Sequence, residues 1–420
     1  MRKFAPALVA AGLTLFGCAF ISVSVVPAAQ AATEKAKPPK MNPKVLKPLQ
    51  AALELANANK LAEAEVPLAE AEAVADKTPY EQSQVDELTC FVLINQKKIG
   101  QAAIPCERGL ESGLLPPEQV NARLRLLAQV FLQTEPKDVA KSGSYAKRWL
   151  EASGTRDPAM LFMVGQAAYF GGSYGEAVTY MKEATTGTVA AGKKPDENWL
   201  RILQSAYAKL KNNPGTIEAT TELVRYYPKK EYWTTLSDGL LARAASKDRE
   251  ILQVFRLMYQ VDVMDDADEF TEAANSATTL GSPGEALKFM EKGYASGVLE
   301  NSGDKAKSQA LLADSRRLAA SDQKALPQFE KEALAAKAGE ADVKLGEAYL
   351  SYDQPAKGLE AIQRGIAKGG VKSVDEANLS LGRAYILNKN SAEALKAFER
   401  VTSPEFAQLA QLWSIYAGQL

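Results

Sequence analysis

The sequence predicts an all-α chain, an α-solenoid of about ten helix-turn-helix units with a C-terminal capping helix. The first observation is an internal repeat: the string LGEAY at residues 345–349 returns as LGRAY at residues 381–385, an offset of 36 residues. The second is that apolar residues within each copy recur at steps of three and four, the period of an amphipathic helix. The third is a short polar turn in the middle of each copy. Because a lone helical pair cannot bury its apolar face, the copies must stack into one array.

Residues 43–420 divide into units when the second helices are aligned on a small, a bulky and a small residue at steps of four and three. The units begin near residues 43, 83, 121, 158, 197, 230, 267, 306, 339 and 375, and match worst near 121 and 306. In the first unit the pattern selects Ala62, Val66 and Ala69. Apolar residues within 408–420 predict one further amphipathic helix, which covers the exposed end of the array. Three predicted second helices contain a proline, at Pro67, Pro105 and Pro327.

Residues 1–31 predict an export signal. Arg2 and Lys3 precede an apolar run that ends in an A-x-A site at residues 29–31. Cleavage there places the mature chain in a bacterial periplasm. Two alternatives stay open: an uncleaved membrane anchor, because the apolar run is long enough to span a bilayer, and a lipoprotein attached through Cys18.

Residues 32–42 contain lysine and proline and almost nothing that a core could bury. This composition predicts a flexible lead. The alternative is a basic arm that touches the membrane surface or the cell wall. The predicted organisation is therefore signal peptide 1–31, lead 32–42 and solenoid 43–420, with no integral membrane span once the signal is cleaved.

Composition argues against several classes of function. The chain has 50 basic and 51 acidic residues, so no bulk charge attracts it to nucleic acid. It has no histidine, which removes the commonest general base and the commonest zinc ligand. No other catalytic residues stand out. These observations predict a protein that is not an enzyme and has no metal, cofactor or nucleic-acid partner.

Two motifs with a chemical meaning elsewhere are interpreted here as structural. GTVAAGKK at residues 187–194 misses the phosphate-binding motif, because Lys194 stands where a hydroxyl residue should bind magnesium and no strand precedes it. We interpret it as a Gly- and Lys-rich loop that binds no nucleotide. The acidic residues within 262–269 lack the order of a calcium loop. They predict a solvated loop that caps the next helix.

Cys90 and Cys106 are sixteen residues apart on the facing helices of one predicted unit. In an exported protein this arrangement favours a structural disulfide. Two buried free thiols or a redox-active pair are the alternatives, although a redox pair usually has C-x-x-C spacing.

The repeat resembles that of tetratricopeptide repeat (TPR) proteins. In both C-terminal copies a small residue follows leucine, as Gly346 and Gly382 do, and an aromatic residue comes three positions later. Two helices approach within about 8–10 Å when small side chains lie at their crossing. The resemblance implies that the first helices of the pairs line a concave face that binds partners.

A narrower resemblance is to periplasmic TPR proteins often encoded beside TonB, ExbB and ExbD in proteobacteria. It rests on NWLRILQSAYAKLKNNPGTIEATTELVRYYPKKEYW at residues 198–233, FRLMYQ from Phe255, ALKFMEKGYASGVLE from Ala286, and the LGEAY and LGRAY units. It implies a partner-binding surface suited to an extended peptide. The residues that it places there are Arg125, Gln129, Phe162, Gln166, Tyr169, Arg201, Ser205, Thr271 and Asn275.

The leading hypothesis is a non-catalytic periplasmic scaffold that binds a protein or peptide of the cell envelope, with the TonB machinery as the implied partner. The alternatives are a factor that binds peptidoglycan or another glycan, and an enzyme that uses a carboxylate pair. Under the scaffold hypothesis, the side chains of Phe162, Tyr169 and Arg201 are exposed, and their removal leaves the fold intact.

Overall fold

The computed structural model describes residues 39–244 and 247–420. The predicted export signal, Cys18 and most of the predicted lead lie outside these ranges. The described residues form twenty α-helices and no β-strand, so the all-α prediction is confirmed. None of these helices is both long enough and apolar enough to cross a membrane.

The helices follow one another at short intervals along the chain. They are α1 (Pro43–Asn57), α2 (Leu61–Glu72), α3 (Pro79–Asn95), α4 (Ile99–Glu111), α5 (Pro117–Val130), α6 (Val139–Ser153), α7 (Pro158–Phe170), α8 (Tyr174–Ala190), α9 (Glu197–Lys209), α10 (Asn213–Tyr226), α11 (Lys230–Ala244), α12 (Asp248–Gln260), α13 (Ala267–Thr279), α14 (Pro283–Ala295), α15 (Lys305–Ala335), α16 (Glu340–Ser351), α17 (Pro355–Lys368), α18 (Val374–Leu387), α19 (Ser391–Glu399) and α20 (Ala407–Gln419).

Each helix packs on the next, and the described chain is a TPR-like solenoid. The first helices begin within four residues of the predicted unit starts. The unit predicted near residue 306 is wrong, because α15 is a single helix of 31 residues that runs through Pro327. Its middle contains no glycine, and its alanine, leucine, lysine and arginine residues favour a helix over the turn that Ser321 and Asp322 could otherwise form. The described chain therefore holds nine helical pairs, α15 and the terminal α20.

Seven pairs share one turn. A residue with positive φ follows the first helix, and the second helix begins two residues later. The N–H after that residue donates to a carbonyl five positions back, as Gln354 does to Tyr349 and Asn390 to Tyr385, both at 2.9 Å. This is the Schellman arrangement, which satisfies carbonyl groups left free at a helix end. The positive-φ residues are Asn59, Lys97, Gly172, Lys211, Gly281, Asp353 and Lys389.

The pair α5/α6 has no such turn. Residues 131–138 join its helices, which explains why the sequence pattern is weak near residue 121. The first unit also differs from the prediction, because Val66 is 64% exposed while Ala64, Leu68 and Ala71 are buried. The alanine-rich α2 satisfies the small-bulky-small pattern in two registers, and the larger Leu68 is buried in preference to Val66.

The predicted disulfide is confirmed. Cys90 of α3 and Cys106 of α4 are bonded, with Cα atoms 4.9 Å apart, and both are buried in the core. The small-bulky-small pattern also selects Met181 of α8 and Met290 of α14 as its bulky residues, and both are buried. The bond fixes one helical pair across its close crossing.

Reducing this disulfide is expected to lower the free energy of unfolding by about 3 kcal/mol, because a loop of roughly 15 residues then adds entropy to the unfolded chain. Urea unfolding with and without a phosphine reductant measures the change. The Cys90→Ala, Cys106→Ala variant is the control, since its stability should not respond to the reductant. Equal stability of the wild type in both conditions would contradict the prediction.

Close contact between helices requires small residues at their crossings. A Cβ on Gly382 of α18 would overlap the ring of Phe398 of α19. We expect Gly382→Ala to lower the free energy of unfolding by about 1–3 kcal/mol, the usual cost of overpacking a core. Gly239→Ala on α11 is the matched control, because no neighbour lies within 4 Å of its new Cβ. Chemical denaturation measures the free energy of unfolding of both variants. Equal changes in the two variants would argue against a close crossing at Gly382.

The C-terminal half closes on itself. The terminal helix α20 covers α19, as the sequence predicts, but it also packs against helices from the middle of the chain. Gln419 donates to the carbonyl of Val224 on α10 at 2.9 Å, and Gln260 of α12 donates to the hydroxyl of Tyr416 at 3.0 Å. One core cluster therefore runs from Leu200 to the terminal helix.

Candidate functional site

Seven of the nine predicted partner-binding residues lie on three first helices that are neighbours in the array. The helix α7 contacts both α5 and α9. We call the surface that these helices share the α5/α7/α9 face. Its predicted residues are Arg125 and Gln129 on α5, Phe162, Gln166 and Tyr169 on α7, and Arg201 and Ser205 on α9.

Direct contacts join α7 and α9 at two levels of this face. The hydroxyl oxygens of Tyr169 and Ser205 are 2.7 Å apart. One to two turns earlier, the ring of Phe162 stacks on the indole of Trp199, with centroids 5.0 Å apart. The residues that meet are 36 or 37 positions apart in the sequence, which is the spacing of equivalent positions in neighbouring units. Side chains at equivalent positions of α7 and α9 therefore contact one another along the face.

Phe162 and Tyr169 are partly buried and pack against core residues such as Met181. The expectation that their side chains are exposed and can be removed without cost to the fold is therefore wrong. Position on the first helix selects residues near the partner-facing side, but it does not separate those that point outward from those that wedge between α7 and α9. Arg201, in contrast, is exposed.

Phe170 is absent from the predicted set, although it is 66% exposed at the end of α7. Its ring meets the ring of Tyr169 edge-on, with centroids 5.5 Å apart, and Tyr174 meets Tyr169 in the same manner at 5.6 Å. The sequence signal is an aromatic residue directly before the Gly171-Gly172 turn, outside the periodic core pattern. An exposed phenylalanine supported by Tyr169, which Tyr174 contacts in turn, is a pre-formed contact point for an apolar group.

The polar residues of the face differ in how far the protein itself satisfies them. Arg125 lies over the ring of Trp149, 5.1 Å from its centroid, and pairs with Asp157 at 3.2 Å. No carboxylate of the described residues lies within 4 Å of the Arg201 guanidinium. The Oε1 atom of Gln166 is buried and accepts no hydrogen bond from the described residues. Arg201 thus offers donors to a ligand, whereas the Gln166 oxygen is enclosed by the protein.

Thr271 and Asn275 belong to a different place. Both lie on α13, where they line an open polar depression together with Asp248, Asp268 and Glu272. The hydroxyl of Thr271 donates to the carbonyl of Asp268 at 3.1 Å. The structure does not bring these two residues to the α5/α7/α9 face, and the depression that they line is acidic.

The two reinterpreted motifs have structural roles. Asp266 and Glu269 form a capping box at the start of α13, which confirms the predicted cap. No described group of three or more potential ligands could hold a metal ion. The loop predicted for residues 187–194 is wrong in its first half, because residues 187–190 form the last turn of α8. Lys194 lies beyond the end of α8, and its ammonium group is 3.6 Å from the ring centroid of Tyr227.

Sequence reasoning did not reveal a cluster of charges that four helices bury together. Arg256 of α12 donates to Glu285 of α14 through Nη2 at 2.6 Å and to Glu347 of α16 through Nη1 at 3.1 Å. Arg383 of α18 donates to the same Glu285 at 2.9 Å. We call these four residues the arginine–glutamate cluster. No sequence motif marks it, because its members are 29 to 98 residues from the partners that they contact.

Glu285 and Arg256 of this cluster both stay charged at neutral pH. Burial raises the pKa of the Glu285 carboxyl, but the charges of Arg256 and Arg383 outweigh burial and lower that pKa to about 2. Burial also disfavours the charged form of Arg256, yet Glu285 and Glu347 raise its pKa. A carboxyl that stays ionised at neutral pH is unsuited to act as a general acid there. The hypothesis of an enzyme with a carboxylate pair gains no support from this cluster.

No protein-family model matches the sequence, and neither does any curated protein. Solved structures with a similar chain path include the Pseudomonas aeruginosa protein pilF, which is 17% identical over 46% of this chain and 96% of its own, with a TM-score of 0.27. A TPR repeat-containing protein from Cytophaga hutchinsonii is 16% identical over 62% and 98%, with a TM-score of 0.33. The TPR2AB domain in the pHSP90 complex of yeast Sti1 is 13% identical over 72% of this chain and 100% of its own, with a TM-score of 0.24. At these values the likenesses identify neither a family nor a function.

The lowered pKa of Glu285 predicts acid sensitivity. The unfolded carboxyl takes up its proton near its ordinary pKa of 4.5, whereas the folded one resists until about pH 2. The contribution of Glu285 to stability is therefore present above pH 4.5 and is lost as the pH falls toward 2, by about 3 kcal/mol in total at about 1.4 kcal/mol for each pKa unit.

Glu285→Gln should consequently be less stable than the wild type at pH 7, and the difference should shrink between pH 5 and pH 2.5. Urea unfolding across this range measures it. Glu218→Gln is the control, because Glu218 pairs with Lys182 at the surface and such pairs contribute little. A difference that is constant with pH would contradict the assignment.

Proposed function

We propose that this protein is a non-catalytic scaffold that binds an extended peptide segment of a protein partner on the α5/α7/α9 face. The observation that carries the proposal is the exposed ring of Phe170, supported by Tyr169, on the helix next to one that presents Arg201 without an ion pair in the described chain. Aromatic and arginine side chains dominate the energetics of protein interfaces. Neither group is needed there to complete the core.

The spacing defines the ligand. From the level of Phe162 to that of Phe170 is eight residues, or about 12 Å along a helix. An extended peptide covers this distance in about four residues at roughly 3.3 Å each. Its chemistry follows from the face: an acidic side chain for Arg201 and an apolar side chain for Phe170.

Location and partner are finer parts of the proposal. Residues 1–31 have the pattern of an export signal, and a buried disulfide is typical of proteins in oxidising compartments, which together support the periplasm. The involvement of TonB, ExbB or ExbD rests on the sequence resemblance described above. A membrane anchor or a lipid attachment in place of signal cleavage would keep the same face available to a partner.

Phe170→Ala combined with Arg201→Glu should reduce peptide binding at least tenfold and change the melting temperature little, because both side chains are exposed. The matched control is Phe329→Ala combined with Arg317→Glu on α15, which also removes an exposed ring and reverses an exposed charge. The purified proteins are compared on a random peptide library. The wild type and the control should select acidic peptides with flanking apolar residues, and the variant should not.

Photocrosslinking groups placed at residues 170 and 201 in cells then identify the partner, with TonB, ExbB and ExbD tested by name. Selection of the same peptides by the double variant would place binding on another surface. Sedimentation with peptidoglycan that the double variant abolishes would favour the glycan-binding alternative over the peptide.

A further inference from the structure

The closed C-terminal half encloses a cavity on the axis around which α12, α14, α16, α18 and α20 gather. It leaves about 70 Å³ for the centres of water-sized atoms. One water needs roughly 10–15 Å³ by this measure, so the cavity has room for a small molecule of several heavy atoms. It is too small for the extended peptide proposed for the α5/α7/α9 face.

Cations predominate among the charged residues that line the cavity. Four charged side chains line it, and three of them are cations: Arg256, Lys288 and Arg383 against Glu285. Behind this lining, Arg256 gives one bond to Glu347, and Lys288 pairs with the exposed Asp353 at 2.6 Å. Arg383 has the weakest compensation, because its only ion pair among the described residues is with Glu285, which Arg256 shares.

Two buried donors of the lining residues are left without an acceptor in the described chain. They are Nη1 of Arg383 and Nε1 of Trp413, and Trp413 is 1% exposed. Buried polar atoms almost always have a hydrogen-bond partner, so such donors call for a ligand or an ordered water. None of the lining residues has an unpartnered buried acceptor. The missing partner is therefore an acceptor, not a donor.

The rest of the lining is mainly apolar, although Tyr259, Gln260 and Ser351 also belong to it. Phe289, Leu350, Ile386 and Leu387 surround the space beside the charged residues. Leu387 is partly open to solvent and Lys288 less so, which leaves a route into the cavity from their side. An occupant must therefore combine a compact acceptor group with a short hydrocarbon part.

We propose that this cavity binds a short-chain monocarboxylate, an acid of about four to seven heavy atoms, with its carboxylate between Arg383 and Trp413. The carboxylate accepts from Nη1 and Nε1 and compensates the guanidinium of Arg383. The hydrocarbon chain packs against Phe289 and Ile386. This site is separate from the α5/α7/α9 face and does not depend on the function proposed for that face.

The test measures binding of butyrate to the purified protein by isothermal titration calorimetry, with butyramide and chloride as comparison ligands. We expect butyrate to bind with a Kd of about 1 mM or tighter, which lies within the range open to a ligand of six heavy atoms. Butyramide has the same shape without the charge and should bind at least tenfold more weakly, as should chloride, which lacks the hydrocarbon part.

Two conservative variants locate the site. Trp413→Phe removes the Nε1 donor and keeps an aromatic ring, and Arg383→Lys keeps the charge and removes Nη1. Each should weaken butyrate binding about tenfold or more, as expected for loss of a hydrogen bond to a charged group. Trp149→Phe on α6 is the control for loss of an indole elsewhere and should bind as the wild type does. Circular dichroism verifies that every variant is folded.

Three results would overturn the proposal. They are no butyrate binding by the wild type, butyramide or chloride binding as tightly as butyrate, and unchanged butyrate affinity in folded Trp413→Phe and Arg383→Lys. The first result would assign the two donors to ordered water. The second would show that carboxylate chemistry is not what the cavity selects, and the third would place butyrate elsewhere.

Discussion

The burial of Arg256 and Glu285 constrains the whole C-terminal half. An ionised side chain inside a protein is costly unless opposite charges and hydrogen bonds surround it, and loss of one partner from such a pair destabilises strongly. Glu285 meets this requirement only when α12, α14 and α18 are all in place, and Arg256 also needs Glu347 of α16. The cluster therefore selects one relative arrangement of four helices. The surrounding apolar core, which would tolerate several arrangements, is fixed by it.

Local features of the fold were predictable because local chemistry determines them. The steps of three and four around Leu345 and Leu381 define helices, small residues such as Gly382 mark crossings, and Cys106 lies opposite Cys90 once the pair is aligned. The single helix α15 was not predictable in this way, since the repeat period was extended across a segment in which no turn interrupts the helix. Closure of the C-terminal half depends on contacts between residues far apart in the chain, and no periodicity reports those.

The candidate site shows the same division. The family resemblance placed Arg125, Tyr169 and Arg201 on one face, and the structure brings them together because a repeat places equivalent positions side by side. The resemblance could not tell that Tyr169 is held by Ser205, since this depends on the direction of each side chain across a helix crossing. Nor did it include Phe170, which lies outside the repeating pattern. Residues outside the repeating pattern, such as Phe170, can differ between units and so can give one unit its own binding surface.

The return of α20 to α10 and α12 has a consequence for how the chain acquires its structure. The N-terminal pairs make contacts mainly with their neighbours in sequence, so each can form soon after it is synthesised. The C-terminal half completes its core through contacts that span 156 to 195 residues, supplied by α20, which is made after the other nineteen helices. Contacts of such high sequence separation slow folding. Until α20 is made, the apolar surfaces of α10 and α12 that it contacts stay uncovered, and this half has the greater need of protection from aggregation.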